Sequence, residues 1–241
     1  MRIAVFQVEG LTVRGEVVGE EAVGLGRRWP LSQVKLLAPV RPTKVVCLGR
    51  NYAAHARELD NDLPERPLLF FKPPSAVIGP GEAIVLPPSP RVDYEGELAV
   101  VIGRRCRNVR PDQASQVILG YTCLNDVTDR EAQGWEGNWV RAKGFDTSCP
   151  IGPWIVTPDE LSFPLTVETY VNGELRQRGS TDELLFPIPE VIAEISSVMT
   201  LEEGDVIATG TPAGVGPLHP GDTVEVRISG IGSLKNPVKG G

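Results

Sequence analysis

Residues 91–103 read RVDYEGELAVVIG, three acidic residues at every second position followed by an aliphatic run. Side chains of a β-strand alternate between its two faces. The spacing therefore predicts one strand that carries Asp93, Glu95 and Glu97 on one face, with Tyr94 and the aliphatic side chains on the other. Carboxylates two residues apart on a strand lie about 7 Å apart, so they repel unless water or a cation separates them. This face is thus either a solvated surface or a site for a divalent cation.

Short apolar segments rich in valine and isoleucine recur on both sides of this stretch, which is typical of strands. They lie at residues 3–8, 44–48, 68–71, 84–86, 98–102, 117–123, 165–171, 205–208 and 223–228. The 26 glycines and 22 prolines lie mostly between these segments and indicate turns. The pattern predicts an α+β, β-rich fold.

Helices are few in this pattern, and the clearest covers residues 188–199, where apolar side chains repeat at i, i+4, i+7 and i+11. Shorter helices are predicted at 52–59, 111–117 and 128–133. Asn172-Gly173 between two strand-like segments predicts a type I′ hairpin, because both residues tolerate a positive φ. Prolines near residue 42 suggest a boundary between a small β-rich N-terminal domain, 1–42, and a catalytic domain, 43–241.

Composition excludes several classes of protein. The 241 residues hold 24 Lys and Arg against 31 Asp and Glu, a net charge of −7 without basic runs, which argues against nucleic-acid binding. The longest apolar run, 98–102, is far too short to span a membrane, and the N-terminus does not resemble a secretory signal. We therefore expect a cytoplasmic protein that binds neither nucleic acid nor membrane.

The scarce residues exclude further chemistry. Cys47, Cys106, Cys123 and Cys149 are scattered without a C-x-x-C pair, so we expect four buried thiols and no zinc ribbon or redox pair. Nucleophile-elbow, phosphate-loop and dinucleotide motifs are missing as well. With only two histidines, a metal would have to be bound by carboxylates.

Asp126 supplies a further carboxylate, because it follows the apolar strand VILGYTCLN and would project from the end of that strand. Oxygen-only ligands suit Mg²⁺ or Mn²⁺ better than zinc. His55 and Glu58 stand at i and i+3 on the predicted helix after KVVCL, where Glu58 could orient the imidazole as a general base. The alternative for this pair is a surface ion pair, and His219, between two Pro-Gly turns, is interpreted as a loop residue.

Two further segments carry candidate ligand-binding groups. Residues 128–146, TDREAQGWEGNWVRAKGFD, are punctuated by Gly and Trp and are interpreted as a mobile lid. In this segment Lys143 could bind a substrate carboxylate or a developing oxyanion, or it could be a solvated loop lysine. Residues 208–216, ATGTPAGVG, offer Thr209, Thr211 and backbone N–H groups to an anion, or form a glycine-rich turn.

Five motifs that follow one another along the chain resemble, in their order, those of a known enzyme family. They are GRNYAAHARE at 49–58, DYEGEL at 93–98, NDVTDREAQ at 125–133, RAKGFDT at 141–147 and TGTPAGVG at 209–216. Together they resemble the fumarylacetoacetate hydrolase family over about residues 44–238. The resemblance implies a roll or sandwich of mixed β-sheets with peripheral helices, a small N-terminal β-rich piece and a homodimer. Asp129 departs from the small residue that the family pattern has at that position.

The resemblance also implies roles for individual residues. It assigns Mg²⁺ or Mn²⁺ to Glu95, Glu97 and Asp126. It makes His55 and Glu58 a water-activating dyad and includes Lys143 among the catalytic residues. The substrate-binding positions are Arg50, Arg130, Gln133 and Thr211.

The chemistry of such a site favours a small 2-oxo acid, which chelates a metal through a carboxylate and the 2-oxo oxygen. Our leading hypothesis is metal-dependent hydrolysis of a C–C bond in an acylpyruvate or fumarylpyruvate, through an enolate stabilised by the metal and Lys143. The alternatives on the same site are isomerisation of 2-hydroxyhepta-2,4-diene-1,7-dioate and decarboxylation of an oxaloacetate-like acid. A non-catalytic protein that binds a divalent cation is the alternative from another class.

Overall fold

The chain is built from strands far more than from helices, as the sequence predicts, in a computed structural model that describes all 241 residues. The strands are β1 (Arg2–Val8), β2 (Leu11–Val18), β3 (Glu21–Gly24), β4 (Arg27–Pro30), β5 (Lys35–Leu37), β6 (Val45–Gly49), β7 (Leu68–Lys72), β8 (Val77–Ile78), β9 (Ile84–Leu86), β10 (Val92–Tyr94), β11 (Gly96–Ile102), β12 (Ile118–Asn125), β13 (Thr128–Asp129), β14 (Cys149–Val156), β15 (Thr166–Val171), β16 (Glu174–Ser180), β17 (Val206–Ala208), β18 (Gly216–Pro217), β19 (Thr223–Ile228) and β20 (Gly232–Gly240). The helices are α1 (Ala53–Glu58), α2 (Arg130–Trp135), α3 (Val140–Lys143) and α4 (Ile188–Val198).

The strands form three sheets. The largest runs β4-β3-β2-β1-β14-β12-β11-β17-β6-β7, with β5 paired to β1 and β8 paired to β14. A five-stranded sheet runs β16-β15-β19-β20-β9, and a small sheet runs β13-β10-β18. This arrangement confirms the predicted β-rich α+β class. None of the helices is long and apolar enough to cross a membrane.

The strand β11 lies at the centre of the core and is buried on both faces. On one face Leu98, Val100 and Ile102 pack with side chains of α4 and β19. On the other face Ala99 and Val101 pack with side chains of β6 and β14. A strand covered on both faces reads as a continuous aliphatic run, which explains why this stretch lacks the usual alternation.

Several local predictions are confirmed. Helix α4 covers Ile188–Val198 within the predicted range, and the hairpin between β15 and β16 turns at Asn172-Gly173, both with positive φ. The short helix predicted at 111–117 is a 3₁₀-helix, Pro111–Gln116. Cys106 is only half-buried, so the prediction of four buried thiols is wrong for one of them.

The N-terminal strands extend the largest sheet, because β1 pairs with β14 at Arg2–Val156 and Ile3–Ile155. The same strand also pairs with β2 and β5. Phe6 and Trp29 pack edge-to-face in a separate apolar cluster of this N-terminal part. The division at residue 42 stays a prediction.

Asp205 joins the start of β6 to the turn before β17. Its fully buried carboxylate accepts hydrogen bonds from Thr43 N at 3.1 Å, Thr43 Oγ1 at 2.6 Å, Lys44 N at 3.1 Å and Glu202 N at 2.8 Å, and it pairs with the Lys44 ammonium. Burial alone would raise its pKa, but the hydrogen bonds from Lys44 and Thr43 hold the pKa of Asp205 below its ordinary value.

We expect Asp205→Asn to lower the free energy of unfolding at pH 7 by about 2–4 kcal/mol, because several donors lose a charged acceptor. The lowered pKa means that the native carboxylate stabilises the fold above about pH 4 and loses this effect as the pH falls further. Urea titrations at pH 7 and pH 3 should therefore show a difference between parent and variant that shrinks at the lower pH. An equal difference at both values would contradict this account.

Candidate active site

Glu95 lies between two strands that belong to different sheets, and this interruption of the strand determines the geometry of the acidic stretch. Strand β10 ends at Tyr94 and belongs to the small sheet, whereas β11 begins at Gly96 in the largest sheet. The prediction of one continuous strand with three acids on one face is therefore wrong. Asp93 is not part of the carboxylate cluster that the other two form with Asp126, and it pairs with Arg91 and Arg130.

Glu95, Glu97 and Asp126 form a cluster in which one carboxylate oxygen of each lies within 4.8 Å of the others. Their exposures of 4%, 1% and 1% exclude the solvated face considered for the first two. The cluster is positioned by the backbone, since Asp126 N donates to Glu95 O at 2.8 Å and Glu95 N donates to Asn125 Oδ1 at 2.9 Å.

Lys143 closes one side of this cluster. It ends the short helix α3 and is 2% exposed, so the alternative of a solvated loop lysine is wrong. Its Nζ donates to Glu95 Oε2 at 2.8 Å, to Asp126 Oδ2 at 2.7 Å and to Thr128 Oγ1 at 2.7 Å. The neighbouring carboxylates outweigh its burial and raise the pKa of Lys143, which keeps it an ammonium.

Lys72 is a residue of the candidate site that the sequence analysis missed. It ends β7, is fully buried, and donates from Nζ to the carbonyl oxygens of Val127, Lys143 and Ser148 at 2.6–3.1 Å. The same Nζ lies 2.9 Å from Asp126 Oδ1. The alternation of side chains in LLFFK places Lys72 on the same face as the buried Phe70. This is the one feature of the sequence that predicts burial of Lys72.

Arg130 is the first residue of α2 and donates hydrogen bonds to three side chains. Its guanidinium donates to Asp93 Oδ2 at 2.7 Å, to Glu95 Oε1 at 2.6 Å and to Gln133 Oε1 at 2.8 Å. The departure at Asp129 has a local explanation, because its carboxylate caps α2 by accepting from Ala132 N at 3.1 Å.

The two glutamates differ in their electrostatic surroundings. Burial works against ionisation of Glu95, but Lys143 and Arg130 hold the pKa of its carboxyl well below the ordinary value. Glu97 has no cationic partner and accepts only from Gly210 N, at 2.8 Å. Burial and the charges of Asp126 and Glu95 therefore raise its pKa well above the ordinary value.

These features fit a divalent cation. Asp126 Oδ1 is buried with only the Lys72 ammonium, 2.9 Å away, beside it, and Glu97 is an acid without a counter-charge. A hard cation held by carboxylate oxygens would satisfy both groups. Mg²⁺ and Mn²⁺ are the ions that match this donor set.

His55 and Glu58 lie together on α1, as the i, i+3 spacing predicts. His55 Nδ1 is 3.3 Å from Glu58 Oε2, and its Nε2 is 4.0 Å from Glu95 Oε1. Glu58 is itself held by the N–H of Gly214 at 3.0–3.1 Å. The surface alternative is wrong for His55, which is 6% exposed, whereas His219 lies exposed in a loop.

The loop after β17 is positioned by hydrogen bonds to β11. Thr211 Oγ1 donates to Gly96 O at 2.9 Å and accepts from Gln177 Nε2 at 2.7 Å. Gln177, a buried residue of β16 that the sequence analysis missed, also accepts from Gly96 N at 3.0 Å. Leu175 is the only large apolar side chain of its strand, so no alternating pattern marks this inward position.

A cavity of about 330 Å³ contains nearly all of the predicted site. The predicted residues that line it are Arg50, His55, Glu95, Glu97, Arg130, Gln133, Lys143 and Thr211. Glu58 and Asp126 do not line the cavity but contact the lining residues His55 and Lys143 respectively. Phe70 and Trp139 form an aromatic side, with ring centroids 5.3 Å apart in an edge-to-face arrangement.

We expect Lys72→Met to lower the free energy of unfolding by about 3–5 kcal/mol, the usual cost of removing one partner from a buried charge pair. The substitution deprives three carbonyls of a donor and Asp126 of a counter-charge. Lys35→Met, which removes an exposed lysine, is the matched control. Urea titration checks the prediction, and a change below about 1 kcal/mol in Lys72→Met would show that the buried ammonium is dispensable.

A model of the fumarylacetoacetate (FAA) hydrolase C-terminal region matches residues 44–239. The chain belongs to the fumarylacetoacetate hydrolase family. This membership confirms the resemblance seen in the five motifs, and with it the general class, an enzyme of this family.

Relatives of the family cover nearly the whole chain. An oxaloacetate tautomerase of Bacillus subtilis is 43% identical over 87% of this chain and 75% of its own length. A 5-carboxymethyl-2-hydroxymuconate delta-isomerase from Mycobacterium smegmatis is 46% identical, with a TM-score of 0.94 over 100% and 99% of the two chains. Maleylpyruvate hydrolase from Sphingobium sp. SYK-6, solved with manganese(II) and pyruvate, is 35% identical, with a TM-score of 0.87 over 100% of both chains.

Proposed function

We propose that this enzyme catalyses enolisation of a 2-oxo acid, as a keto–enol tautomerase or isomerase that depends on Mg²⁺ or Mn²⁺. The observation that carries the proposal is the placement of His55 Nε2 beside Glu95, within the cavity that Glu97 and Lys143 also line. A base, an ammonium and a carboxylate cluster in one cavity are what proton transfer next to a carbonyl group requires.

The relatives favour enolisation over the leading hypothesis of the sequence analysis, C–C bond hydrolysis. The proteins named as a tautomerase and as an isomerase are 43% and 46% identical to this chain, whereas the maleylpyruvate hydrolase is 35% identical. The manganese(II) and pyruvate in the hydrolase structure are a metal and a 2-oxo acid of the kinds proposed here.

Different residues of the site have different roles in this reaction. A divalent cation at Glu95, Glu97 and Asp126 would supply Lewis-acid polarisation of a substrate oxygen. With Glu58 accepting the Nδ1 hydrogen, His55 Nε2 carries the free lone pair and takes the proton from C3 of the keto acid. The C–H electron pair becomes the C2=C3 bond, and the Lys143 ammonium stabilises the negative charge that develops on the 2-oxo oxygen.

Return of the proton decides which product forms. Protonation at the oxygen completes tautomerisation, whereas protonation at a more distant carbon of a conjugated acid gives isomerisation. The aromatic side, where Phe70 and Trp139 pack edge-to-face, offers apolar contacts to a conjugated chain.

Hydrolysis of an acylpyruvate is the second candidate, and the His55–Glu58 pair favours it, because a base held by a carboxylate also activates water. Hydroxide would add to the distal carbonyl carbon, the bond from that carbon to C3 would break, and C3 would receive the proton. Both candidates share the enolate and differ in what His55 deprotonates.

One assay separates these candidates. The enol-to-keto conversion of oxaloacetate is followed by ultraviolet absorbance and the exchange of its C3 hydrogen by NMR in D₂O, alongside pyruvate release from acetylpyruvate and CO₂ release from oxaloacetate. Each reaction is run with Mg²⁺, with Mn²⁺ and with a chelator. We expect metal-dependent acceleration of enolisation as the largest effect. Acetylpyruvate cleavage without accelerated enolisation would instead identify a hydrolase.

A further inference from the structure

The cations that surround the cavity differ in how far acids of this chain already neutralise them. Arg130 is bonded to Asp93 and Glu95, and Lys143 is bonded to Glu95 and Asp126. Both groups are thereby committed to the carboxylate cluster. Their positive charge is used to hold the cluster together and to stabilise charge at the reacting end of a ligand.

Arg50 is the exception among the cations on the wall. It follows β6, lines the cavity and is half-buried, but its guanidinium forms neither a hydrogen bond nor an ion pair with any residue of the chain. A guanidinium carries five donors in a planar fork that matches a carboxylate. An uncommitted fork in a partly enclosed cavity is placed to bind an anionic group of the ligand.

The backbone at this wall is held in an unusual conformation. Arg50 has a φ of +58° and Trp139, on the same cavity, a φ of +57°, both in the left-handed region that non-glycine residues seldom adopt. Gly49 directly precedes Arg50, and a Cβ at Gly49 would lie 3.4 Å from the Trp139 ring. Strain of this kind persists where the surrounding structure imposes it and is concentrated at ligand-binding sites.

We propose that Arg50 binds the second carboxylate of the substrate and makes the enzyme selective for 2-oxo dicarboxylates over 2-oxo acids with an uncharged tail. This inference rests on the proposed function, which places the shared 2-oxo acid head at the carboxylate cluster. Arg130 and Lys143 then act on the head, and Arg50 recognises the tail.

The test compares two ligands that share a head and a chain length. The binding of 2-oxoglutarate and of 2-oxopentanoate to the Mn²⁺-loaded enzyme is measured by calorimetry, and their inhibition of enolisation is measured in parallel. Arg50→Gln removes the charge, and Arg50→Lys restores a charge without the planar fork. Arg57→Gln, on the exposed side of α1 and outside the cavity, is the matched control.

We expect Arg50→Gln to weaken 2-oxoglutarate binding about 10- to 100-fold, the range supplied by hydrogen bonds to a charged group, and to change 2-oxopentanoate binding less than twofold. Arg50→Lys should recover part of the loss, and Arg57→Gln should match the parent. Equal weakening of both ligands, or no change in either, would overturn the role of Arg50 and leave the proposed function intact. Failure of the parent to bind either 2-oxo acid would overturn both proposals.

Discussion

Glu97→Gln is expected to weaken Mn²⁺ and Mg²⁺ binding by about 10²- to 10³-fold and to abolish metal-dependent turnover. Glu97 is the acid of the cluster without a cationic partner in the chain, so an added cation is the counter-charge that would stabilise its ionised form. Two unit charges about 4 Å apart interact by about 4 kcal/mol at an effective dielectric constant of about 20, so the loss of one ligand charge beside a divalent cation can cost roughly three decades of affinity. Calorimetric titration of the metal-free protein measures the change.

The stability of the metal-free protein provides an independent check. Glu97 is buried without a counter-charge, so replacing it by an amide should not lower the metal-free melting temperature. Added Mn²⁺ should raise the melting temperature of the parent and leave that of Glu97→Gln nearly unchanged. Glu168→Gln, on β15 outside the cavity, should respond to Mn²⁺ like the parent. Parental metal affinity in Glu97→Gln would remove this residue from the ligand set.

The second large effect is expected for His55→Ala, which should slow enolisation by about 10²- to 10⁴-fold, the usual contribution of a general base. Metal binding should remain at the parental level, because His55 lies 4.0 Å from Glu95 and is not among the three clustered carboxylates. Exchange of the C3 hydrogen in D₂O reports the proton transfer directly. Any decarboxylase activity should be less affected, since CO₂ can leave without removal of a proton.

The other histidine is a natural control for this experiment. His219 is exposed in a loop and approaches only Asp222, at 3.6 Å, so His219→Ala should enolise substrates like the parent. Glu58→Gln should reduce the rate less than His55→Ala does, because the imidazole keeps its place but loses the acceptor that orients it. Parental rates in His55→Ala would return this residue to a structural role.

The sequence predicts the elements of this fold well where one local pattern decides them. The apolar periodicity of α4 and the Asn172-Gly173 turn are of this kind, because neither depends on distant parts of the chain. The break at Glu95 could not be predicted, since it arises where the chain leaves the small sheet for the largest one. In the sequence, acidic residues alternate with other residues throughout RVDYEGEL, as on one strand. In the structure, this stretch is divided at Glu95 between two strands.

The candidate site could be predicted as a set of residues but not as a set of contacts. Neither Lys72 nor Gln177 lies in a recognised motif, and each reaches the site only because a strand from a distant part of the chain passes it. The pairing of Asp93 with Arg130 likewise depends on how the small sheet meets α2. Metal binding, the individual site roles, the homodimer and the cytoplasmic location stay predictions.

The chain itself positions the three carboxylates of the cluster. Asp126 and Glu95 are held by Lys72, Lys143 and Arg130, and Glu97 is held by the N–H of Gly210, without any contribution from an ion. Because these contacts come from the chain itself, we expect the protein to fold without metal, in contrast to small zinc domains that unfold when their ion is removed. Under the proposed function, a folded protein would lose and regain the ion, so the supply of Mg²⁺ and Mn²⁺ would set the active fraction of the enzyme and leave its total amount unchanged.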